Sequence, residues 1–420
     1  MAFNRSEVEQ LDQLDALRPF REQFIFPKTE SGKNQLYFCG NSLGLQPVKA
    51  QSYVDQEMAD WRSYGVTGHH LAQNPWYKYH EFLTGPMADI VGAKPLETVI
   101  MNTLTVNLHL MLVSFYRPTS KRFKILIEYS SFPSDRYAVE SQIRFHGYDP
   151  KEALIILQPE PGTDTISKAH IESVFEQEGD QIALALIGSV NYYTGQAYPI
   201  AHMTALAHAH GAAIGFDLAH GAGNLQLQLH GDGPDFAVWC GYKYLNGGPG
   251  ALAGAFVHER HAHRTDLPRF AGWWGHNKVT RFKMEPRYEA MPGAEGWQLS
   301  NPPILPMACL RASLELFQQA GMDALRRKSL AMSELLFQLL EDYNHPKLSL
   351  ITPKAEHERG CQVSIKVKNA DRSLFQRISD QGVIADWREP DVIRIAPVPL
   401  YNSFCDVFDF VEILKQANHD

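Results

Sequence analysis

Lys243 occupies an unusual setting for a charged side chain. The segment "WCGYKYLNGGPG", residues 239–250, places it between Tyr242 and Tyr244, directly after the apolar run "DFAVWC" and before a glycine-rich stretch. A lysine that loses water from around its amine has a lowered pKa and can form a Schiff base with a carbonyl compound. Glycines let the backbone approach a ligand closely. The segment therefore predicts a reactive amine in a ligand site.

A carboxylate is the second candidate for chemistry. Asp217 ends the strand-like run "AAIGFD", and Lys243 follows the next strand-like run. In open parallel sheets, ligands bind beyond the carboxyl ends of the strands, so both side chains could project into one crevice. An acid that keeps a pyridine nitrogen protonated and a lysine that anchors an aldehyde are what pyridoxal 5′-phosphate (PLP) requires. Taken singly, a turn-capping aspartate and a solvated lysine are the simpler interpretations.

Four further side chains could complete such a site. Thr103 and Thr105 precede an apolar helical run, where hydroxyls and free N–H groups would form a phosphate seat. Phe132 follows a strand and could stack on a planar cofactor, and His220 lies just beyond Asp217. Helix capping by Thr105, core packing of Phe132 and a structural role for His220 are the respective alternatives.

The elements that must position these residues predict an α/β fold. Between about residues 95 and 260, the strand-like runs "KILIEYSSF", "EALIILQP", "IALALIGSV" and "AAIGFDL" alternate with helical stretches such as "DRYAVESQIRFHG", "IESVFEQEGDQ" and "IAHMTALAHAHG". This alternation predicts a mostly parallel central sheet that is covered by helices on both faces. The N-terminal segment "MAFNRSEVEQLDQLDALRPF" is typical of an amphipathic helix.

The chain changes character after about residue 300. One long helical stretch, "PMACLRASLELFQQAGMDALRRKSLAMSELLFQLLEDY", leads into the strand-like runs "CQVSIKV" and "DVIRIAPV", which predicts a smaller α+β domain. We therefore expect an N-terminal segment, residues 1–60, that packs with the small domain, a large PLP-binding domain, residues 61–305, and a small C-terminal domain, residues 306–420.

Composition excludes several classes of protein. The 420 residues are 44% hydrophobic and 20% charged, and 39 basic against 47 acidic residues give a net charge of −8 without a basic block. That balance is typical of a globular protein and argues against a nucleic-acid partner. Five cysteines without a CxxC pair indicate a reduced, cytoplasmic protein. No run approaches the roughly 18 apolar residues of a membrane helix, so no membrane partner is expected.

A metal-dependent hydrolase is a rival interpretation, because the chain has 18 histidines, including the pair His69-His70. His208 and His210 are two apart on a predicted helix and so face different sides, and no HExxH motif occurs. Solvated helix histidines and no metal site are therefore expected. A PLP-binding regulator without catalysis is a third class, but no DNA-binding segment is visible.

Eight segments, in family order, closely resemble kynureninase: "YFCGNSLGLQP", "FPSD", "NYYTGQ", "GFDLAH", "WCGYKYLNGGPG", "GWWGH", "LSNPPIL" and "IRIAPVPLYNSF". The likeness runs from about residue 36 to 405. It implies a PLP-dependent transferase-like fold (fold type I) and a homodimer with its sites at the subunit interface. The implied reaction of tryptophan catabolism is hydrolysis of L-kynurenine or 3-hydroxy-L-kynurenine to anthranilate or 3-hydroxyanthranilate and L-alanine. Another PLP enzyme of this fold, such as a cysteine desulfurase or a class V aminotransferase, is the nearest rival.

The resemblance also implies roles for individual residues. Lys243 would be the Schiff-base lysine and Asp217 the partner of the pyridine nitrogen. The full set expected to bind the cofactor is Leu104, Thr105, Phe132, Asp135, Asp217, His220, Tyr242, Lys243, Trp273 and Asn301. Ser189, just before "NYYTGQ", stays outside this set.

On the substrate side, the resemblance implies that Arg394 holds the α-carboxylate, for which a guanidinium fork is well suited. Ser42, His69 and Asn301 would line the same side, and the polar side chains of His69 and Asn301 favour 3-hydroxykynurenine as the preferred substrate. Tyr242, next to the anchoring lysine, would be the general acid that protonates the product carbon. An extended segment would point Tyr244 to the opposite side, which gives it a structural role.

Overall fold

Helices and strands alternate along most of the chain in the computed structural model, which describes residues 3–419. The strands are β1 (Phe24–Ile25), β2 (Leu36–Tyr37), β3 (Gln46–Pro47), β4 (Thr98–Met101), β5 (Lys124–Glu128), β6 (Leu154–Leu157), β7 (Ile182–Gly188), β8 (Ala213–Asp217), β9 (Phe236–Trp239), β10 (Ala253–Val257), β11 (Leu348–Leu350), β12 (Val363–Val367), β13 (Val383–Ile384), β14 (Asp386–Arg388) and β15 (Val392–Ile395). The α-helices are α1 (Arg5–Leu14), α2 (Ala50–Tyr64), α3 (Gly68–Leu71), α4 (Tyr79–Val91), α5 (Leu104–Phe115), α6 (Pro133–Phe145), α7 (Pro150–Ala153), α8 (Lys168–Glu178), α9 (Ile200–Ala209), α10 (Leu229–Asp232), α11 (Ile304–Ala320), α12 (Met322–Tyr343), α13 (Arg372–Asp380) and α14 (Phe404–His419).

The central sheet has the strand order β4-β10-β9-β8-β7-β5-β6. Strands β5 to β9 are parallel to their neighbours within this set, whereas β10 runs antiparallel to both β4 and β9. Ile125 and Ile127 belong to one apolar cluster and Leu126, between them, to another. Because successive side chains of a strand point to opposite faces, the sheet is buried on both sides. The predicted mostly parallel α/β sheet is confirmed.

The predicted helices and strands of the sheet region match the observed ones closely. Helix α9 ends just before Gly211, whose φ of +73° suits a helix end that glycine tolerates. The long helical stretch predicted after residue 300 is confirmed, but it consists of two helices. Gly321, with φ of +74°, separates α11 from α12. No helix within residues 3–419 is long and apolar enough to cross a membrane.

A second, antiparallel sheet has the order β11-β12-β15-β14 and lies in the C-terminal part of the chain. Helix α1 packs against α14, and β2 pairs in parallel with β13. The buried ion pair between Lys328 Nζ and Asp15, at 2.7 Å, adds a further link between the N-terminal segment and α12. Helix α2 packs instead on α11, which also contacts α4.

The carboxyl edge of the central sheet brings several chain segments together. Strands β5, β7 and β8 end there at Glu128, Gly188 and Asp217, and the last two residues are register partners. Helices α5 and α6 begin near this edge, and the loop with Lys243 follows β9. The connection from β8 to β9 contains the short helix α10.

Candidate active site

One pocket at the carboxyl edge of the central sheet contains most of the residues expected to bind a cofactor. Its lining consists of Leu104, Thr105, Glu128, Phe132, Ser134, Asp135, Gly188, Val190, Tyr192, Asp217, Ala219, His220, Tyr242 and Lys243. From the predicted cofactor set, Trp273 and Asn301 do not line this pocket. The pocket thus lies at the carboxyl ends of the parallel strands, where open α/β sheets bind ligands.

The amine of Lys243 lies 5.7 Å from the centroid of the Phe132 ring. Lys243 is partly buried, and no carboxylate within residues 3–419 forms an ion pair with it. Phe132 is 43% exposed, and its ring meets that of Tyr192 edge-on at 5.5 Å. Core packing of Phe132, the simpler interpretation of the sequence, is therefore wrong. The amine and the aromatic face are both free to contact a ligand.

Asp217 is 7% exposed, and its Oδ1 accepts a hydrogen bond from the Ala219 N–H at 2.7 Å. The turn-capping interpretation is thus correct for this oxygen. The same carboxylate also lines the pocket, so capping and ligand binding are compatible. The hydrogen bond fixes the orientation of the carboxylate, as a residue that must hold a ligand nitrogen requires.

Asp135, in the first turn of α6, is 5% exposed and its Oδ1 has no hydrogen-bond partner in the described protein. Burial and the nearby negative charge of Asp217 raise the pKa of Asp135 well above its usual range. Two close carboxylates in a buried site do not both ionise readily. Burial beside Asp217 therefore makes ionisation of Asp135 unfavourable.

Two hydroxyl groups meet at the N-termini of helices α5 and α6. Thr105 Oγ1 lies 2.9 Å from Ser134 Oγ, and both residues belong to the first turns of their helices. Thr105 does not cap α5, because Thr103 is the capping residue, so the capping alternative is wrong. Free N–H groups and hydroxyls at two converging helix N-termini form a suitable seat for an anion.

His220 is 5% exposed, and its Nδ1 has no partner in the described protein. Burial, together with the positive charges of Lys243 and two arginines, lowers the pKa of His220 well below its usual range. The imidazole is therefore neutral. The Tyr244 ring meets it edge-on at 6.1 Å and is 1% exposed, which places Tyr244 in the core, away from the pocket.

The pocket fits PLP by the chemistry of its side chains. Asp135 Oδ1 and His220 Nδ1 are buried without a hydrogen-bond partner, which is rare for polar atoms in proteins. A bound ligand, or a water bound with it, would supply the missing hydrogen bonds. The two helix N-termini suit a phosphate, Asp217 suits a pyridine nitrogen, and Lys243 suits an aldehyde. These features occur in one pocket, at the distances described above.

Arg394, on β15, is 1% exposed. Its guanidinium contacts the Asp386 carboxylate, and Nη1 donates a hydrogen bond to the Tyr192 carbonyl oxygen at 2.9 Å. Burial lowers the pKa of Arg394 to about 10, and Nε has no partner. Arg388 also donates to Asp386, at 2.9 Å, but is more exposed. Tyr192, which lines the pocket, thus connects Arg394 to it.

Three predicted residues lie at the protein surface. Trp273 is 47% exposed, and His69 and Asn301 are also exposed. Trp273 belongs to a connected set of ring contacts that we call the aromatic surface, formed by His70, Tyr77, Trp273, the buried Trp274 and Phe282. His69 forms a separate edge-on contact with Trp76. One copy of the chain does not bring these three residues into the pocket.

Ser42 is partly buried and does not line the pocket either. Its N–H donates to the Cys39 carbonyl oxygen at 2.9 Å, in the turn "CGNSLG". The same turn reaches the lysine loop, because the Gly44 N–H donates to the Tyr242 carbonyl oxygen at 2.8 Å. Ser42 is thus held near the pocket without forming its wall.

Sequence reasoning missed six residues of the pocket lining, which are Glu128, Ser134, Gly188, Val190, Tyr192 and Ala219. Glu128 ends a strand as Asp217 does, and Ser134 lies inside the quoted segment "FPSD". Those signals could have identified both. Ser189, which stayed outside the predicted set, does not line the pocket, although its N–H donates to the Asp217 carbonyl oxygen at 2.8 Å.

The histidines of α9 do not face each other. His208 Nε2 lies 3.0 Å from a carboxylate oxygen of Asp235, which is buried, so the expectation of a purely solvated histidine is wrong there. His210 Nδ1 lies 3.8 Å from Asp180. Ligand atoms of Glu97, His230 and His258, and separately of His80, Glu81 and Glu295, approach within 4.8 Å. Both ring nitrogens of His258 are engaged with backbone groups.

Comparison with known proteins identifies the family of this chain. A family model described as the kynureninase C-terminal domain matches residues 325–414. The chain is 57% identical over 412 residues to a kynureninase of Myxococcus xanthus, covering 98% of this chain and 97% of that protein. In solved structures it resembles a mutant of C-DES with glycine covalently linked to its PLP cofactor (TM-score 0.78, 19% identity, 94% of this chain and 98% of that one). It also resembles an apo cysteine desulfurase of Thermococcus onnurineus (TM-score 0.74, 17% identity, 99% of each chain).

The fold and the pocket define a PLP-dependent enzyme of fold type I. The two solved structures are distant in sequence, so they support the fold alone and not the desulfurase activity that was the nearest rival. The full-length likeness at 57% identity decides the family. The chain belongs to the kynureninase family, and it is a PLP-dependent hydrolase.

Proposed function

We propose that the pocket around Lys243 hydrolyses the Cβ–Cγ bond of L-kynurenine and 3-hydroxy-L-kynurenine. The products would be L-alanine and anthranilate or 3-hydroxyanthranilate, as in tryptophan catabolism. The observation that carries the assignment is the meeting of a lysine amine, a fixed carboxylate and two helix N-termini in one pocket. The family to which the chain belongs supports this reaction.

The proposed cofactor contacts follow from the pocket lining. The helix N-termini with Thr105 and Ser134 would hold the phosphate, Asp217 the pyridine nitrogen, and Lys243 the aldehyde. Phe132, whose exposed ring faces the amine, would lie against the ring of the cofactor. When bound, PLP supplies an electron sink for the bonds at the amino-acid carbons.

Protons would be moved by two side chains. Lys243 Nζ, once displaced by the substrate amine, would take the proton from Cα. Tyr242 would deliver a proton to Cβ of the departing alanine. Burial, with the nearby Cys240 thiol, raises the pKa of Tyr242 above its usual range. The phenol therefore holds its proton at neutral pH and can serve as the acid.

Arg394 would bind the α-carboxylate of the substrate. Its hydrogen bond to the Tyr192 carbonyl places it behind the pocket wall, and its Nε is free to donate. Asp386 holds the guanidinium in position. A planar, buried guanidinium discriminates strongly in favour of a carboxylate ligand.

We propose a homodimer in which a second copy of the chain covers the aromatic surface. Val279 and Met284, near Phe282, are 79% and 74% exposed and extend the apolar area. Exposed apolar patches of this kind mark interaction sites, and a twofold axis pairs the same patch on both copies. Trp273 and Asn301 of each copy would thereby reach the pocket of the other.

Mixed dimers test this sharing of sites. Chains with Lys243→Ala and chains with Trp273→Ala/Asn301→Ala are each expected to be inactive or weakly active. Random mixing after mild dissociation should restore about a quarter of wild-type activity, because half of the dimers then contain one intact site. Light scattering should give twice the 47.4 kDa chain mass. A mixture without regained activity would show that all site residues come from one chain.

We also propose that 3-hydroxykynurenine is the preferred substrate. His69 and Asn301 are polar and exposed, and in the dimer they would face the aryl ring and bond its hydroxyl. A site built around such a bond disfavours a substrate that lacks it by about 1–3 kcal/mol, since its own polar groups then stay unpaired.

The measurement is kcat/KM for both substrates, with the products identified by chromatography. The wild type should favour 3-hydroxykynurenine by at least about fivefold, and His69→Trp/Asn301→Thr should lose that preference. Ser300→Thr, an exposed neighbour, serves as the control and should retain it. Equal values in the wild type would contradict the proposed preference, and an absence of alanine would contradict the reaction itself.

We retain the division into residues 1–60, 61–305 and 306–420 as a proposal. The contacts of α1 with α14 and of β2 with β13 support the pairing of the N-terminal segment with the small domain. Helix α11 also packs on α2 and α4, so contacts cross the proposed boundary after residue 305. We also propose a cytoplasmic location, which the free state of the five cysteines supports.

A further inference from the structure

Glu128 is a third carboxyl group of the pocket, and the roles proposed above leave it unused. It ends β5 and is 3% exposed. Its Oε2 accepts a hydrogen bond from the Gly188 N–H at 3.2 Å, and a Cβ at position 188 would lie only 2.8 Å from Oε1. Glycine at that position therefore leaves the space that this carboxyl group fills. Gly188 is in turn the register partner of Asp217.

The groups that face Glu128 are mostly acidic. They are Asp217 of β8, Asp135 of α6, and the buried phenol of Tyr198 before α9, while Lys243 lies across the pocket. No lysine, arginine or histidine of residues 3–419 forms an ion pair with Glu128. Burial, and to a smaller extent the charge of Asp217, raises the pKa of Glu128 to about 7. Glu128 is thus neutral in acid and gains its charge as the pH rises through neutrality.

We propose that Glu128 is a positioning residue that acts through Asp217 to hold the proton on the ring nitrogen of the cofactor. The inference rests on the proposed contact between Asp217 and that nitrogen. A negative charge on Glu128 makes the neighbouring acid more basic, because charges interact strongly where water is excluded. Glu128 would then tune the electron sink without touching the substrate.

The test compares the holoenzymes of the wild type, Glu128→Gln and Glu128→Asp. The visible absorbance of the bound cofactor is titrated with pH, since its midpoint depends on the charge of the ring nitrogen. Glu128→Gln should raise that midpoint by about one pH unit, because a ring nitrogen that loses its proton no longer places a positive charge near the titrating imine. Glu128→Asp, which keeps a carboxyl group, should restore at least half of the shift. The infrared spectrum of the wild type should contain a protonated-carboxyl band that titrates near neutrality. The spectrum of Glu128→Gln should lack this band.

Two comparison variants make the outcome decisive. Glu97→Gln changes another fully buried glutamate that does not line the pocket, and it should leave the cofactor titration unaltered. Asp217→Asn should change the titration more than Glu128→Gln does. If Asp217→Asn has its effect and Glu128→Gln has none, Glu128 has no positioning role, while the proposed contact of Asp217 stands. If neither variant changes the absorbance, the contact of Asp217 with the ring nitrogen is wrong as well.

Discussion

Lys243→Ala should lower kcat by at least about 10³-fold, with the fold intact. The amine of Lys243 is the one that faces the Phe132 ring in the pocket, and two steps depend on it. It anchors the cofactor, and it takes the proton from the substrate Cα. Alanine can do neither, and water is a poor replacement for a positioned base. PLP itself should still bind, more weakly, through the phosphate seat and Asp217.

Reduction with borohydride gives the direct assay of this assignment. The wild-type holoenzyme should carry a pyridoxyl group on one peptide, which contains Lys243, and Lys243→Ala should carry none. Lys354→Ala is the matched control. That lysine is exposed, pairs with Glu341, and is far from Lys243 in the sequence. It should keep full activity and the label. A label on any other lysine would move the anchor elsewhere.

Most of the fold was predictable because it depends on local apolar periodicity. Strand β7 and helix α9 coincide with the runs from which they were predicted. The break at Gly321 was harder, since the apolar pattern continues on both sides and only a φ of +74° shows the turn. The backbone needs glycine there because the left-handed region is costly for other residues.

The site residues were predictable where their position just after a strand decides where they lie. Asp217 and Lys243 follow neighbouring strands, so topology alone brings them together. The position of Glu128 at the end of its strand is visible in the sequence, as is that of Asp217, but its burial beside Gly188 and Asp217 is not. Trp273 lies outside the pocket of its own chain. Its role was implied by family resemblance, and no rule of local spacing could place it.

The sequence also does not show that the Phe132 side chain is exposed. A phenylalanine after a buried strand usually packs into the core. Here it is the N-cap residue directly before α6 and stays 43% exposed beside the lysine amine. Its side chain is thus available to the cofactor, at the cost of apolar surface left in water. Such departures from the usual burial of apolar residues are expected at functional sites.

Arg394→Lys should raise KM for either substrate by about 10- to 100-fold, with little change in cofactor affinity. A lysine keeps the charge but not the planar fork, so it cannot bond both oxygens of the α-carboxylate. It would also leave the Tyr192 carbonyl oxygen or Asp386 without its present donor. The binding of an amino acid without an aryl group, such as L-alanine, should weaken in parallel, because the carboxylate is common to both ligands.

Arg388→Lys is the matched control, since Arg388 shares the Asp386 carboxylate with Arg394 but is about one-third exposed in its side chain. In Arg388→Lys, water can replace the hydrogen bonds that the guanidinium group no longer makes. KM should therefore change by no more than about threefold. If Arg388→Lys raises KM sharply and Arg394→Lys does not, Arg388 is the group that binds the substrate. The burial of Arg394 then serves only to hold Asp386 and the Tyr192 loop. A KM effect confined to Arg394, with an unchanged cofactor spectrum, would separate substrate binding from this structural role, because disruption of the Tyr192 loop would also disturb the cofactor pocket that Tyr192 lines.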